Sequence, residues 1–364
     1  MQVFLFNLIM IKANYHKYIL DFKRPSGTSR GVLTQKETWF IILEQNGKVG
    51  IGECGILRSL SADDRPDYEE KLKWTCENIH LGEQKLWDEL IEFPSIQFGI
   101  EMAFQSLKST TNPFIFFESD FTSGQKNIPI NGLIWMGEKE FMKEQIEEKI
   151  AEGFTCIKLK IGAIDFDKEL DLLHYIRSHF DENKIEIRVD ANGGFTESEA
   201  LYKLNQLSGF KLHSIEQPIK KNNTDTMSEL CKNTPFPIAL DEELIGVFHK
   251  EDKETLLDKI RPQYIILKPS LIGGIRGSKE WIELAEKYQI GWWITSALES
   301  NIGLNAIAQF TYLLQNPMPQ GLGTGGLYTN NFSSPLEVKN GELKYNTSTG
   351  WNLETVLKQI REQQ

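Results

Sequence analysis

Five charged residues, Lys160, Asp190, Glu216, Asp241 and Lys268, follow one another at gaps of 30, 26, 25 and 27 residues. Each closes a short apolar run: Ile157–Lys160, Ile185–Asp190, Leu212–Glu216, Pro237–Asp241 and Tyr264–Lys268. A period of roughly 25–30 residues holds one strand, one helix and two loops. Charged groups at the C-terminal ends of successive parallel strands are how a closed α/β barrel builds an active site. The spacing therefore predicts a barrel in which three carboxylates, flanked by two lysines, converge on one point.

Strand parity adds to the set. Residues i and i+2 of a strand face the same way, so Lys158 joins Lys160 and Arg188 joins Asp190. Strands of parallel sheets are normally near-continuous apolar runs, so these charged dyads mark Lys158 and Arg188 as candidate substrate contacts. Three hard oxygen donors, Asp190, Glu216 and Asp241, suit Mg²⁺, with Mn²⁺ able to substitute. The competing role for each carboxylate is a helix N-cap. Three in register between two lysines, with Glu216 followed by Gln217-Pro218, favour the metal. A lysine is a base only when neutral. Lys158, Lys268 and a dication around Lys160 would favour its neutral form.

A barrel needs about 250 residues, and the chain has 364. The expected organisation is an α+β capping domain over 1–125, the barrel over 126–328, and a C-terminal segment, 329–364, returning to the cap. The cap reads as an antiparallel meander with strands near 3–14, 37–44 and 48–53, the last two joined by Gln45-Asn46-Gly47. Helices are expected at about 67–80, 83–91 and 97–109. In the barrel they are expected near 138–152, 166–180, 196–208, 225–233, 251–260, 276–288 and 302–314. The first barrel strand is placed at Ile128–Ile134, the seventh at Gly291–Thr295, and a weak eighth near Pro319–Gly321. The segment Arg24–Gly31, rich in Pro, Gly and Ser, reads as a mobile lid with Thr28 and Arg30 as candidate contacts.

The net charge of −11 argues against nucleic acid and anionic membrane as partners. It leaves a small anionic carboxylate open, because the charge within the site decides that. An oligomer is compatible with the sequence but not derivable from it. Cys54, Cys76, Cys156 and Cys231 form no CxxC pair and read as free buried thiols of a reducing compartment. Met1–Ile11 has no basic flank or cleavage site and is too short to span a bilayer, so a cytoplasmic location is expected.

Together, Lys158-x-Lys160, Val189-Asp-Ala-Asn-Gly193, Glu216-Gln-Pro218, Ala239-Leu-Asp-Glu242 and Lys268-Pro-Ser270 resemble the enolase superfamily, and within it the muconate-lactonizing subgroup. That resemblance implies a modified TIM barrel of the enolase type, with the N-terminal α+β cap completed by the C-terminal tail. It also implies Mg²⁺ on Asp190, Glu216 and Asp241, Lys160 and Lys268 as catalytic groups, and Asn192 near the substrate. Ser296–Leu304 and Gly321-Leu-Gly-Thr324 resemble the o-succinylbenzoate synthases, adding Ser296 and Gly321 as substrate contacts. In these enzymes Mg²⁺ binds the ring carboxylate of a succinyl-hydroxycyclohexadiene carboxylate. One lysine takes the α-proton, an enediolate forms, and the hydroxyl leaves from the same face. The second carboxylate of the substrate is expected to meet N–H and hydroxyl donors near Ser296 and Gly321. Dipeptide epimerases, N-acylamino acid racemases and cycloisomerases of the subgroup are the enzymatic alternatives. An inactive barrel acting as a binding module is the non-enzymatic one.

Overall fold

The computed structural model describes residues 10–28, 31–162 and 165–363. An antiparallel sheet opens the fold, with β1 (Lys12–Thr28), β2 (Gly31–Gln45) and β3 (Lys48–Gly55) in chain order. Of the strand expected over 3–14, residues 3–9 lie outside the described set, and the described strand takes up its last three residues and runs on to Thr28. Of the segment placed in a lid loop, Arg24–Thr28 and Gly31 are strand. β1 and β2 continue as a ribbon paired Ser26↔Leu33, Gly27↔Val32 and Thr28↔Gly31. Between Asp21↔Gln35 and Ser26↔Leu33, residues 22–25 oppose Thr34 alone. That bulge takes up Pro25, which cannot donate to a ladder, so turn-forming composition masked a continuous ribbon. The tip of the ribbon bridges to the barrel at Gly27↔Met136.

Helices α1 (Tyr68–Glu77), α2 (Gly82–Glu89) and α3 (Pro94–Lys108) cover one face of the sheet. β2 alternates cleanly: Trp39, Ile41 and Leu43 pack against these helices, while Phe40 and Ile42 join the main core. α3 approaches β3 so closely that a Cβ on Gly52 would stand 1.8 Å from the Gly99 carbonyl oxygen, so glycine is required there.

The barrel follows. β4 (Ile128–Pro129) belongs to a small sheet with the tail strands, and β5 (Gly132–Ile134) begins the parallel sheet. β6 (Cys156–Lys160), β7 (Glu186–Asp190), β8 (Ser214–Glu216), β9 (Ile238–Leu240), β10 (Tyr264–Leu267) and β11 (Gly291–Ile294) complete it in sequential order. Helices α4 (Lys139–Ala151), α5 (Phe166–His179), α6 (Glu197–Ser208), α7 (Thr224–Asn233), α8 (Lys250–Ile260), α9 (Gly274–Lys287) and α10 (Asn301–Leu313) match the expected ones to within about two residues. The eighth strand is reduced to two residues. Gly321 N–H donates to the Ile294 carbonyl at 2.8 Å, and Gln320 N–H donates to that of Pro129 at 2.8 Å, which closes the ring. Pro317 and Pro319 supply no N–H, so the ladder cannot lengthen.

The tail divides. β12 (Leu336–Lys339) pairs with β13 (Glu342–Tyr345), which pairs with β4. α11 (Leu353–Glu362) reaches the cap, where Gln359 Nε2 donates to the Tyr18 hydroxyl at 2.8 Å. All four cysteines are free thiols. Burial pushes those of Cys76 and Cys231 up to about 12. Among the described residues no helix is long and apolar enough to cross a membrane.

Candidate active site

The parallel register brings the charged ladder to one level. Lys160 pairs with Asp190, and Asp190 with Glu216. Asp241 and Lys268 follow the last residues of β9 and β10 directly. The intervening residues Leu159, Val189 and Ile215 are buried on the opposite face, against the helices. Parity thus turns every charged side chain inward.

Inside the barrel the charges alternate. Lys158 Nζ stands 2.9 Å from Asp190 Oδ2 and also donates to Glu216 Oε2. Lys160 Nζ lies 2.7 Å from both Asp190 Oδ2 and Asn192 Oδ1. Lys268 Nζ pairs with Asp241 Oδ2 and stands 4.0 Å from Glu216 Oε1. Burial alone would lower the pKa of Lys158, but Asp190, Glu216 and Asp241 outweigh it and hold the ammonium above its usual range. The same contest, with Asp241 and then Glu216 prevailing, raises that of Lys268. Burial opposes ionisation of Asp190, yet Lys158 and Lys160 hold it well below the usual carboxylate range. Glu216 goes the other way, raised by burial and by the charge of Asp190. The field around Lys160 thus differs from expectation: the Asp190 carboxylate, rather than like charges, is its closest ionic neighbour.

Among the described residues no three His, Cys, Asp or Glu side chains are grouped ready for a metal. The physical reason is the insertion of Lys158 between Asp190 and Glu216 and of Lys268 beside Asp241. The donor set nevertheless fits a hard dication. All three groups are carboxylates, and Glu216 Oε1 is buried without a hydrogen-bond partner.

Above the carboxylates lies a cavity of about 1120 Å³. Lys158, Lys160 and Asn192 line it from β6 and β7, Lys268 from across the barrel after β10, and Ser296 and Gly321 complete the wall. Arg24 and Leu33 of the ribbon and the segment 57–60 of the cap roof it. Lys23 N–H donates to the Leu327 carbonyl at 2.8 Å, tying the ribbon's base to the barrel mouth. Thr28 sits at the ribbon tip, its side chain outside the described set, as is all of Arg30.

Two expectations are corrected. Arg188 does not line the cavity. Its guanidinium donates to Glu186 at 2.7 Å and to the Pro319 carbonyl at 2.9 Å, and it lies over the Trp293 ring at 4.3 Å. It is one layer deeper than Asp190, about 6.6 Å along the strand, and turns away from the site. Ser296 lines the cavity, but its hydroxyl donates to Glu299 Oε2 at 2.7 Å and so cannot donate to a ligand. Gln217, Glu242 and Glu299 were not anticipated. Gln217 Oε1 accepts from Asp241 N–H at 3.2 Å, and Glu242 Oε1 accepts from Asn192 at 2.9 Å. The adjacency of Gln217 to Glu216, and of Glu242 to Asp241, was the available signal.

Two family models match the chain: the enolase C-terminal domain-like family over residues 141–357, and the MenC N-terminal domain over 10–107. The o-succinylbenzoate synthase of Desulfotalea psychrophila is 50% identical, over 92% of this chain and 98% of that protein. The chain belongs to the o-succinylbenzoate synthase family of the enolase superfamily. The crystal structure of MenC from the same organism aligns with a TM-score of 0.82 at 46% identity, over 92% of this chain and 99% of that one. A dipeptide epimerase from Enterococcus faecalis, crystallised with Mg and the dipeptide L-Leu-L-Tyr, shares the fold alone. Its TM-score is 0.78 at 19% identity, over 92% of this chain and 96% of that one. The fold is the enolase-type modified TIM barrel with its α+β cap.

Proposed function

We propose that this protein dehydrates succinyl-hydroxycyclohexadiene carboxylate to o-succinylbenzoate, a step of menaquinone biosynthesis, in the cytoplasm. The observation that carries this reading is the pair Lys160 and Lys268 lining one cavity above three carboxylates, in a chain 50% identical to a synthase of that name. Asp190, Glu216 and Asp241 are the residues to hold Mg²⁺. Bound there, the ion would supply a Lewis acid for the substrate carboxylate.

Lys160, oriented by Asn192, takes the proton α to the carboxylate. Lys268 faces the negative charge that then develops. Lys160 returns its proton to the departing hydroxyl, so one water leaves and the ring becomes aromatic. Asn192, itself held by Glu242, keeps the Lys160 ammonium directed across one face. Thr295 holds position 321 to glycine, since a Cβ there would stand 2.4 Å from Thr295 Oγ1. No acidic side chain fits at 321 to receive a substrate ammonium, which argues against dipeptide epimerisation. The ribbon brings Arg24 to the cavity roof, where its guanidinium suits the second carboxylate of the substrate.

Lysines on two sides of the cavity also suit racemisation, in which one removes a proton and the other returns it to the opposite face. Incubation with the diene and Mg²⁺ separates the readings. Loss of diene absorbance, suppressed by chelator, is expected. Faster racemisation of N-acylamino acids than dehydration would overturn the assignment.

A further inference from the structure

A second set of buried charges lies behind the cavity wall, where cap and barrel meet. Glu53 of β3 and Glu299, just before α10, are both fully buried. Glu53 accepts from Ser300 N–H at 2.9 Å, Gly303 N–H at 2.8 Å and Thr38 Oγ1 at 3.0 Å. Glu299 accepts from Ser270 Oγ at 2.5 Å and Ser296 Oγ at 2.7 Å. Gly303 sits between the two carboxylates, since a Cβ there would stand 2.8 Å from both Glu53 Oε2 and Glu299 Cβ. Lys36 of β2 is buried near them, and burial lowers its pKa against the pull of Glu53 and Glu299.

Ser270 follows Lys268 by two residues, and Ser296 begins the segment that lines the cavity. The Ser296 oxygen accepts from Leu298 N–H at 3.0 Å and from Thr324 Oγ1 at 2.9 Å. Tyr328 Oη donates to the Leu298 carbonyl at 2.6 Å. Leu298 lines the cavity at φ +63°. That is a left-handed conformation a leucine adopts only when its surroundings impose it.

We propose that Glu299 is a positioning residue. Its carboxylate, held between Ser270 and Ser296, fixes the segment after Lys268 and keeps Leu298 in the left-handed conformation that presents it to the substrate. The carboxylate orients the Ser296 hydroxyl by taking its hydrogen, which leaves the oxygen as the acceptor that turns Leu298 N–H inward. The same pin sets the height of Lys268 through Ser270. Leu298 is then a wall that selects substrate shape, and Glu299 acts on turnover without touching substrate. The kinetic part rests on the dehydratase reading; the conformational part does not.

The test compares Leu298→Gly, Leu298→Ala, Glu299→Gln and the double variant Leu298→Gly/Glu299→Gln, by thermal midpoint and by steady-state kinetics. Glycine takes positive φ freely. Leu298→Gly is therefore expected to melt a few degrees above Leu298→Ala, reversing the usual order. Glu299→Gln is expected to lower the midpoint less in the Leu298→Gly background than in the wild type, because the clamp then has no strain to hold. In kinetics, Leu298→Ala should raise KM several-fold with kcat within twofold, and Glu299→Gln should lower kcat at least tenfold. Leu298→Gly melting below Leu298→Ala, or additive midpoint losses in the double variant, would overturn the clamp. Wild-type kcat in Glu299→Gln would overturn the positioning role. If Glu299→Gln does not fold, Ser270→Ala, which removes one of the two donors, carries the kinetic comparison. If the wild type does not turn over the diene, the functional reading falls and the midpoints alone decide the clamp.

Discussion

Lys158 and Lys160 stand two residues apart on β6, and what separates them is the company each ammonium keeps. Lys158 starts one layer lower and reaches up between Asp190 and Glu216, where both carboxylates hold it charged. Lys160 ends at Asp190 and Asn192 on the cavity side, the position from which a proton can be taken. Lys160→Ala is therefore expected to lose several orders of magnitude in kcat while product binding, read by calorimetry, persists. Unchanged turnover would require another base. The metal has a readout that needs no substrate. A ligand at a hundred times its Kd adds about 2.7 kcal/mol to stability, so Mg²⁺ should raise the wild-type midpoint by several degrees and that of Asp190→Asn much less. Equal rises would place the ion elsewhere. The ladder was legible because period and parity each constrain it separately. Arg188 was misread because parity gives the face of a strand but not the depth along it. Glu299 was missed because a single polar residue just before a helix has no period to betray it.

At the scale of elements, helices and central strands were legible from apolar periodicity, and the two ends of the barrel were not. The closing strand is two residues preceded by prolines, and the strand expected at Ile128–Ile134 is shared between two sheets. The cap grips the barrel through α3, whose Glu101 accepts from Ile275 N–H at 2.5 Å and Arg276 N–H at 2.9 Å at the start of α9. Despite these donors, burial pushes the Glu101 carboxyl up to about 8. A folded-state pKa above the unfolded value, about 4.3, means the stabilisation is complete below about pH 4 and is lost as pH rises through about 8. The wild-type thermal midpoint should therefore fall between about pH 5 and 8 and level off above, and Glu101→Gln should flatten that slope whatever its cost at low pH. Parallel slopes would show that Glu101 ionises as freely folded as unfolded. The ribbon offers a kinetic test of the same junction. A Cβ at Gly27 would stand 2.8 Å from the Met136 carbonyl oxygen, so Gly27→Val should lift the tip and raise KM strongly with the midpoint little changed. An unaltered KM would leave the ribbon as mere connection.

Across the whole molecule, the far end of the chain braces the near end at the point where the ribbon departs. Asn330 accepts from Asp21 N–H at 2.9 Å and donates to the Ile19 carbonyl at 2.7 Å. The Tyr18 hydroxyl donates to the Asn330 carbonyl at 2.8 Å, and Gln359 of α11 donates to both that carbonyl and the Tyr18 hydroxyl. Immediately beyond Asp21, residues 22–25 bulge and β1 swings over the cavity. α11 is held down by Val356 and Ile360, both buried. The partner of this helix could not be read from the sequence, because no local pattern records the contact between Tyr18 and Gln359, 341 residues apart. Ile360→Ala should cost about 2–5 kcal/mol, the range for deleting a buried aliphatic side chain. Asn330→Ala removes polar contacts at the half-buried base of β1 and opens no apolar cavity there. Its cost in stability should be nearer 1–2 kcal/mol, and its larger effect should be on KM, since the ribbon loses its fixed hinge. The comparison of the two variants is decisive. If Ile360→Ala changes stability and KM in the same proportion as Asn330→Ala, the tail acts only as ballast for the fold. If Asn330→Ala raises KM more per degree of midpoint lost, the C-terminal segment sets the angle at which the cap's ribbon meets substrate.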